Sequence, residues 1–407
     1  MEQDVKNGAV VSLRNEWSIY IVLAVLLLMY GLINFWVGLR GWQLLGRFIP
    51  FLNIKLYWIA FWLIAMSFFA ARLGGGFMPA RAGRWLTVLG SYWLAALFYL
   101  ILALALMEVV LLALKIAGVM PRGLAGNARA SLAVGLAVFI GVGCTVAYGW
   151  WNALHPRVVH YQVNIPKQPG TMKDLRVVVV SDLHLGIIVH NGRLIRMVDM
   201  IEELQPDLIL MPGDIIDENP GPFVEQDMVS SFRRLAPEYG IYAVPGNHEY
   251  IGRESEVIAA HLGDAGINVL RDEYVKVADS FYVVGRDEFS RSRMGGGGRK
   301  DLEEVMKGVD HSLPVMLMDH QPVDLDRCRE QGVDLMLSGH THLGQMFPNN
   351  LITRRLYEVD WGYLRKGNLQ VIVSCGFGTW GPPIRVGNRP EIADLSISFD
   401  PGEGQGR

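Results

Sequence analysis

Arg176-Val-Val-Val-Val-Ser-Asp-Leu-His-Leu-Gly186 is the stretch on which the reading of the fold turns. Val177 to Val180 are four apolar β-branched residues in a row, too short a run for a helix of its own. Such a run suits a strand covered on both faces. It ends abruptly in Asp182 and His184, one residue apart. A buried strand that delivers a carboxylate and an imidazole at its C-terminal end has the form of an active-site rim. Taken alone, a polar loop would read as well.

Working outward, the same ending recurs four times. Leu208-Ile-Leu-Met runs into Pro-Gly-Asp214, and Ile241-Tyr-Ala-Val into Pro-Gly-Asn247-His248-Glu249. Val315-Met-Leu-Met runs into Asp319-His320, and Leu335-Met-Leu-Ser into Gly339-His340-Thr-His342. Glycines before three of these sets allow sharp turns. One histidine after a strand is ordinarily structural. Five strands ending alike, with five of the ten histidines among them, are not coincidence. His155, His160, His190, His261 and His311 lack this context and read as structural or surface residues.

The donors are nitrogen and oxygen, with no cysteine among them. That set suits borderline divalent ions, Mn, Fe, Zn or Co. There are too many donors for one ion, and two ions sharing a carboxylate would use them all. A metal pair lowers the pKa of a bound water and clamps both attacking and leaving oxygens.

These blocks, Asp182-Leu-His184, Gly213-Asp214, Gly246-Asn247-His248-Glu249, His320 and Gly339-His340-Thr341-His342, resemble the calcineurin-like metallophosphoesterase superfamily in order and spacing. Ser338 to Gln345 and Gly376-Phe-Gly-Thr-Trp-Gly-Pro-Pro383 are similar to its membrane-associated branch. The resemblance runs from about residue 158 to 399. It implies a four-layer α/β/β/α sandwich with metals at the strand ends. It further implies that Asp182, His184 and His342 bind one metal, that Asp214 bridges, and that Asn247, His320 and His340 bind the other. His248 would contact the substrate phosphate and protonate the leaving oxygen. Two departures are mild: Glu249 stands where Asp is frequent, and Met318-Asp319 precede His320 where other residues are common.

The chain has 407 residues, 51% of them hydrophobic, and a formal charge of −3. That average hides two halves. Up to Pro156 there are 11 Lys/Arg against 4 Asp/Glu; the remainder has 26 against 36. The acidic remainder argues against a nucleic-acid partner. Cys144, Cys328 and Cys375 are too scattered for a disulfide or metal framework. Four apolar segments, 17–39, 56–71, 85–114 and 130–151, predict an all-α transmembrane region of about four helices, behind a polar tail. Trp17, Tyr57, Trp85, Trp150 and Trp151 sit where interfacial aromatics belong. Glu108 alone is ionisable inside these segments, which argues for an anchor rather than a transporter. The basic residues of the loops set no orientation. An extracytoplasmic catalytic domain is the expectation from exported relatives in the branch it resembles.

From 157 onward helical and strand segments interleave, as where helices cover sheets. Apolar residues at Leu194, Met197, Val198, Ile201 and Leu204 predict a helix over 191–204 that Asn191 could cap. A further helix is expected near 223–235, an edge strand over 158–165 and another sheet edge over 392–399. Arg291-Ser-Arg-Met-Gly-Gly-Gly-Gly-Arg-Lys300 reads as a surface loop rather than a basic flap over the substrate.

The expectation is therefore an integral, multi-pass membrane region (1–156) followed by a metallophosphoesterase domain (157–407). The function expected is a dimetal phosphoesterase with manganese foremost, acting through a metal-bridging hydroxide. A phosphodiesterase acting on a phospholipid or lipid-linked phosphate in the bilayer is favoured. A phosphomonoesterase acting on phosphoproteins and a catalytically inactive membrane scaffold of the same fold are the alternatives.

Overall fold

The computed structural model describes residues 2–49, 51–74, 77–119, 128–294 and 297–400. The chain forms two compact units, Met1–Val146 and Ala147–Arg407.

The first unit is helical. Among the described residues, three helical stretches are long and apolar enough to cross a membrane: Ile21–Gly46, Ala80–Ile116 and Leu132–Ala153. The expected span over 56–71 is instead a pair of helices, Ile54–Ala65 and Ser67–Gly74, bent by 54°. The bend has a local cause. Ser67 Oγ donates to the Ile64 carbonyl at 2.7 Å, the side-chain bonding that competes with the helix ladder. The bent pair counts as a fourth span only if it is taken as one. The segment expected to be a polar tail continues the first helix, which runs Glu2–Phe48. Glu108 pairs at 2.5 Å with Arg40, which lies just beyond the first apolar segment.

Among its described residues the second unit holds twelve strands: β1 (Arg157–Asn164), β2 (Asp174–Val179), β3 (Leu208–Pro212), β4 (Ile241–Val244), β5 (Ile267–Val269), β6 (Glu273–Val277), β7 (Phe281–Gly285), β8 (Val315–Met318), β9 (Leu335–Ser338), β10 (Gly362–Lys366), β11 (Leu369–Val373) and β12 (Glu391–Ser398). They form two six-stranded sheets, ordered β1-β12-β2-β3-β4-β5 and β10-β11-β9-β8-β7-β6. β2 to β5 pair in parallel, as do β7, β8, β9 and β11.

Strand alternation explains the layers. Val178, Ile209 and Met211 point to a core shared with the helices Asn191–Leu204 and Ser255–Asp264. Their neighbours Val177, Val179, Leu208 and Leu210 point the other way, against Phe281, Met316, Met318 and Leu337 of the second sheet. Leu317, Met336 and Val371 face a third core with the helices at 302–305 and 325–330. Every central strand is covered on both faces, which is why these runs read as continuously apolar. The result is a four-layer α/β/β/α sandwich.

Three expectations change in detail. The helix Asn191–Leu204 is capped by His190, whose side chain accepts from Gly192 N, while Asn191 donates instead to the Gln226 carbonyl. The helix expected near 223–235 is two short ones, Gly221–Glu225 and Met228–Phe232. β12 lies inside its sheet between β1 and β2, not at an edge, because its residues 391–395 are buried.

Candidate metal centre

The ends of β2, β3 and β4 from one sheet and β8 and β9 from the other meet at one place. β2 delivers Asp182 and His184, and β3 delivers Asp214. The turn after β4 opens a short helix, Asn247–Ile251, with Asn247 and His248 at its start. β8 ends at His320, and the loop after β9 carries His340 and His342. All eight residues named from the sequence are thus brought together.

The backbone works hard to place them. Asp182, His184, Asp214, His340 and His342 all have left-handed φ, between 49° and 70°. Non-glycine residues avoid this region, and such strain persists only where the surroundings enforce it. Two glycines serve close approach. A Cβ on Gly246 would overlap Asp214, and one on Gly339 would overlap Asp182. They allow carboxylates to lie against the neighbouring turn.

Asp182 Oδ1 lies 3.3 Å from His342 Nε2 and accepts from His340 N at 2.9 Å. His184 Nε2 faces His342 Nε2 at 3.0 Å. Asp214 Oδ2 lies 3.2 Å from His320 Nε2, which also faces Asn247 Oδ1 at 3.2 Å and His340 Nδ1 at 3.1 Å. Ligand atoms of Asp182, His184 and His342 fall within 4.8 Å of one another, as do those of Asp214, His320 and His340. A third grouping, His184, Asp214 and His248, connects the two.

These donors fit divalent cations. Among the described residues, His184 Nδ1 is buried without a hydrogen-bond partner. Two pairs of rings meet nitrogen to nitrogen. His320 Nδ1 lies 2.9 Å from the Pro212 carbonyl, to which it donates, so its Nε2 points at the cluster; burial lowers the pKa of this ring, but Asp214, 3.2 Å from Nε2, outweighs that and raises it. Burial pushes His342 down to about 3, and the neighbouring Asp182 does not reverse this, so the ring stays neutral. Neutral imidazoles and ionised carboxylates are the ligand forms that metals require.

His248 stands apart electrostatically. Burial alone would lower its pKa, but the hydrogen bond to Asp217 and the charges of Asp214, Asp217 and Glu249 outweigh that and raise it to about 9. Its Nδ1 lies 2.8 Å from Asp217 Oδ1, which fixes the ring.

Three supporting residues were missed or under-read in the sequence. Asp217 orients His248 and lies only three residues beyond Asp214, so proximity in the motif was its signal. Glu249, noted only as a departure, accepts from the backbone N–H groups of Asp214, Ile215, Ile216 and Gly246. Arg385 is fully buried and reaches His342 Nδ1 from Nη2 at 3.1 Å. Nothing local marked it, since it lies 43 residues beyond its partner. The basic residues of 291–300 do not reach the cluster: Arg291 pairs with Asp287, and Arg299 with Asp319 and Asp324. Gly295 and Gly296 lie outside the described residues.

A cavity of about 530 Å³ opens over the cluster, lined among others by His184, Asp214, Asn247, His248, His340 and His342.

A family model described as calcineurin-like phosphoesterase matches residues 175–344. A "Transmembrane protein with metallophosphoesterase domain" from Danio rerio is 31% identical over 261 residues, covering 61% of this chain and 59% of that relative. A Helicobacter pylori metallophosphoesterase is 32% identical, covering 55% of this chain and 60% of that relative. An Aquifex aeolicus metallophosphoesterase is 34% identical over 257 residues, covering 62% of this chain and 95% of that relative. The chain belongs to the metallophosphoesterase family. This metallophosphoesterase spans less than two thirds of the Danio rerio and Helicobacter pylori relatives it matches. The family's chemistry is metal-dependent phosphoester hydrolysis, and the donor set above is where a metallophosphoesterase would hold divalent ions. Its apolar helices and its transmembrane relative make it a membrane protein.

Proposed function

We propose that the chain is a membrane-anchored dimetal phosphodiesterase whose substrate is a phospholipid or lipid-linked phosphate. The observation that carries this reading is the pair of adjoining donor sets at the strand ends of both sheets. In this reading Asp182, His184 and His342 hold one ion, Asn247, His320 and His340 the other, and Asp214 is shared. Manganese is the favoured ion. Cations held there would acidify a water and clamp the attacking and leaving oxygens.

The chain's own residues do the rest. His248 keeps a proton at neutral pH and presents Nε2 to the leaving oxygen, while Asp217 holds Nδ1. Glu249 and the glycine contacts of Gly246 and Gly339 keep Asp214 and Asp182 in their strained positions. The helices of 1–156 serve as a multi-pass anchor for a catalytic domain over 157–407, on the extracytoplasmic side. The anchor favours a lipid substrate by concentrating the site at the bilayer.

The test uses detergent-purified protein with added Mn and a chromogenic phosphodiester. Asp214→Asn and His320→Ala are each expected to cut turnover by at least about a hundredfold. Unchanged turnover in Asp214→Asn would sink the mechanism. Absence of both stoichiometric metal and hydrolysis in the native protein would leave an inactive scaffold.

A further inference from the structure

The cavity over the candidate metal centre has an unusual wall. Ile352 and Leu356 of the helix Asn350–Leu356 line it together with Ile251 and Trp380. All four are exposed: Ile251 45%, Ile352 58%, Leu356 71% and Trp380 49%. Leu351 on the same helix is 57% exposed. This helix buries none of its residues.

That is a poor arrangement for a soluble surface. Seven residues are too few to hold a helix unaided, and most protein helices persist because they bury an apolar face. This one is tethered by polar contacts, with Thr353 Oγ1 donating to Asp360 Oδ2 at 2.7 Å. Singly scattered exposed apolar residues need no explanation, but a contiguous set beside a cavity does. Arg354 and Arg355 are exposed on the same helix, and their side chains form no hydrogen bond or ion pair among the described residues. In a half of the chain where acidic residues outnumber basic ones, two unpaired arginines beside leucine, isoleucine and tryptophan have the make-up of a lipid-interface element.

We propose that Ile251, Ile352, Leu356 and Trp380 seat an acyl chain of a lipid phosphoester whose phosphate lies at the histidine cluster. Leu351 extends the apolar surface, and Arg354 and Arg355 meet anionic headgroups. Three facts on this chain favour a lipid over a peptide or a second copy. The wall is continuous with the catalytic cavity, the unpaired charges are cationic, and the chain carries apolar helices long enough to enter a bilayer. The inference rests on the phosphoesterase reading for its choice of headgroup, but not for the acyl seat.

Full-length protein in mixed micelles tests it by two readouts. The first is photolabelling by a phospholipid with a diazirine in its acyl chain, mapped by mass spectrometry. Label on residues 347–357 or at Trp380, competed by long-chain phospholipid and retained in Asp214→Asn, is expected. Label confined to the apolar helices of residues 21–153 overturns the proposal. The second is the ratio of turnover for long-chain and six-carbon phospholipids with one headgroup. Leu351→Ser/Ile352→Ser/Leu356→Ser is expected to lower that ratio about tenfold or more, and Leu351→Met/Ile352→Leu/Leu356→Met to preserve it. A ratio unmoved by the serine variant overturns the proposal. If the serine variant fails to fold, the photolabelling decides. Hydrolysis of a soluble diester without label on the wall refutes this inference alone. Label on the wall with no hydrolysis of any ester refutes the phosphoesterase reading alone.

Discussion

Glu249 shows how much of this site is backbone placement. Its Oε1 accepts from Ile215 N at 2.7 Å and Ile216 N at 2.9 Å, and its Oε2 from Asp214 N at 3.1 Å and Gly246 N at 2.7 Å. The side chain is buried, so these four donors have no water to turn to. An amide in its place sets an NH₂ against two N–H groups whichever way it is turned. Glu249→Gln is therefore expected to cost about 1–3 kcal/mol, read as a lower midpoint of thermal or urea unfolding, and to reduce turnover by moving Asp214. An unchanged midpoint would show that the carboxylate is dispensable. At this scale the sequence was most informative where chemistry is local. Asp182, His184, His340 and His342 sit in pairs beside apolar runs. The partners that orient them do not announce themselves. Arg385 lies far along the chain from His342, and Glu249 acts on main-chain atoms, which leave no side-chain pattern.

At the level of elements, apolar runs of four or five residues marked the strands that both sheets cover, and periodicity marked Asn191–Leu204. β5, β6 and β10 escaped notice for physical reasons. β5 has three residues, and β6 and β10 are partly exposed strands carrying Glu273 and Lys276, or Arg365 and Lys366, among their apolar residues. β12 reads as a sheet edge because polar and apolar residues alternate over 392–399. Asp394 is in fact buried within the sheet and held by charge: Arg176 donates to it from Nε at 3.0 Å and Nη2 at 2.9 Å, and His160 Nδ1 lies 2.9 Å away. Burial by itself would raise the Asp394 pKa, but these bonds outweigh it and the carboxyl is held below its ordinary value. A folded pKa below the unfolded one means that folding favours the ionised form. The stabilisation is complete above the ordinary aspartate value of about 4 and is lost as the pH falls through the lowered folded value. Asp394→Asn should destabilise the neutral protein by about 1 kcal/mol, since its partners are partly exposed and screened. It should also lose less stability than the native chain between pH 5 and pH 2. Parallel acid limbs in the two proteins would show that Asp394 is not the titrating group.

On the scale of the whole molecule, composition places the boundary after Pro156, whereas the compact units divide at Val146 and Ala147. Of the ten residues between them, 147–153 form the last turns of an apolar helix, which is why hydropathy assigns the stretch to the anchor. Their contacts assign them to the C-terminal unit. Asn152 is buried, and its Nδ2 donates to the Arg385 carbonyl at 2.9 Å and the Asn388 carbonyl at 2.6 Å. Arg385 N donates in turn to the Gly149 carbonyl at 2.9 Å, and Arg193 reaches the Ala153 carbonyl at 3.0 Å. The same Arg385 touches His342. The helix end therefore braces the loop that positions one of the candidate ligands. Two fragments separate these readings of the boundary. A chain of residues 147–407 keeps the brace, and one of residues 157–407 leaves the buried carbonyl of Arg385 and the partly buried carbonyl of Asn388 without their donor. The shorter fragment is expected to be less stable by roughly 2 kcal/mol or more, taking about 1 kcal/mol for each lost hydrogen bond. It should also turn over a soluble phosphodiester more slowly, and Asn152→Ala in the longer fragment should reproduce part of both losses. Equal melting temperatures and equal turnover in the two fragments would return residues 147–156 to the anchor and free Arg385 from any dependence on it.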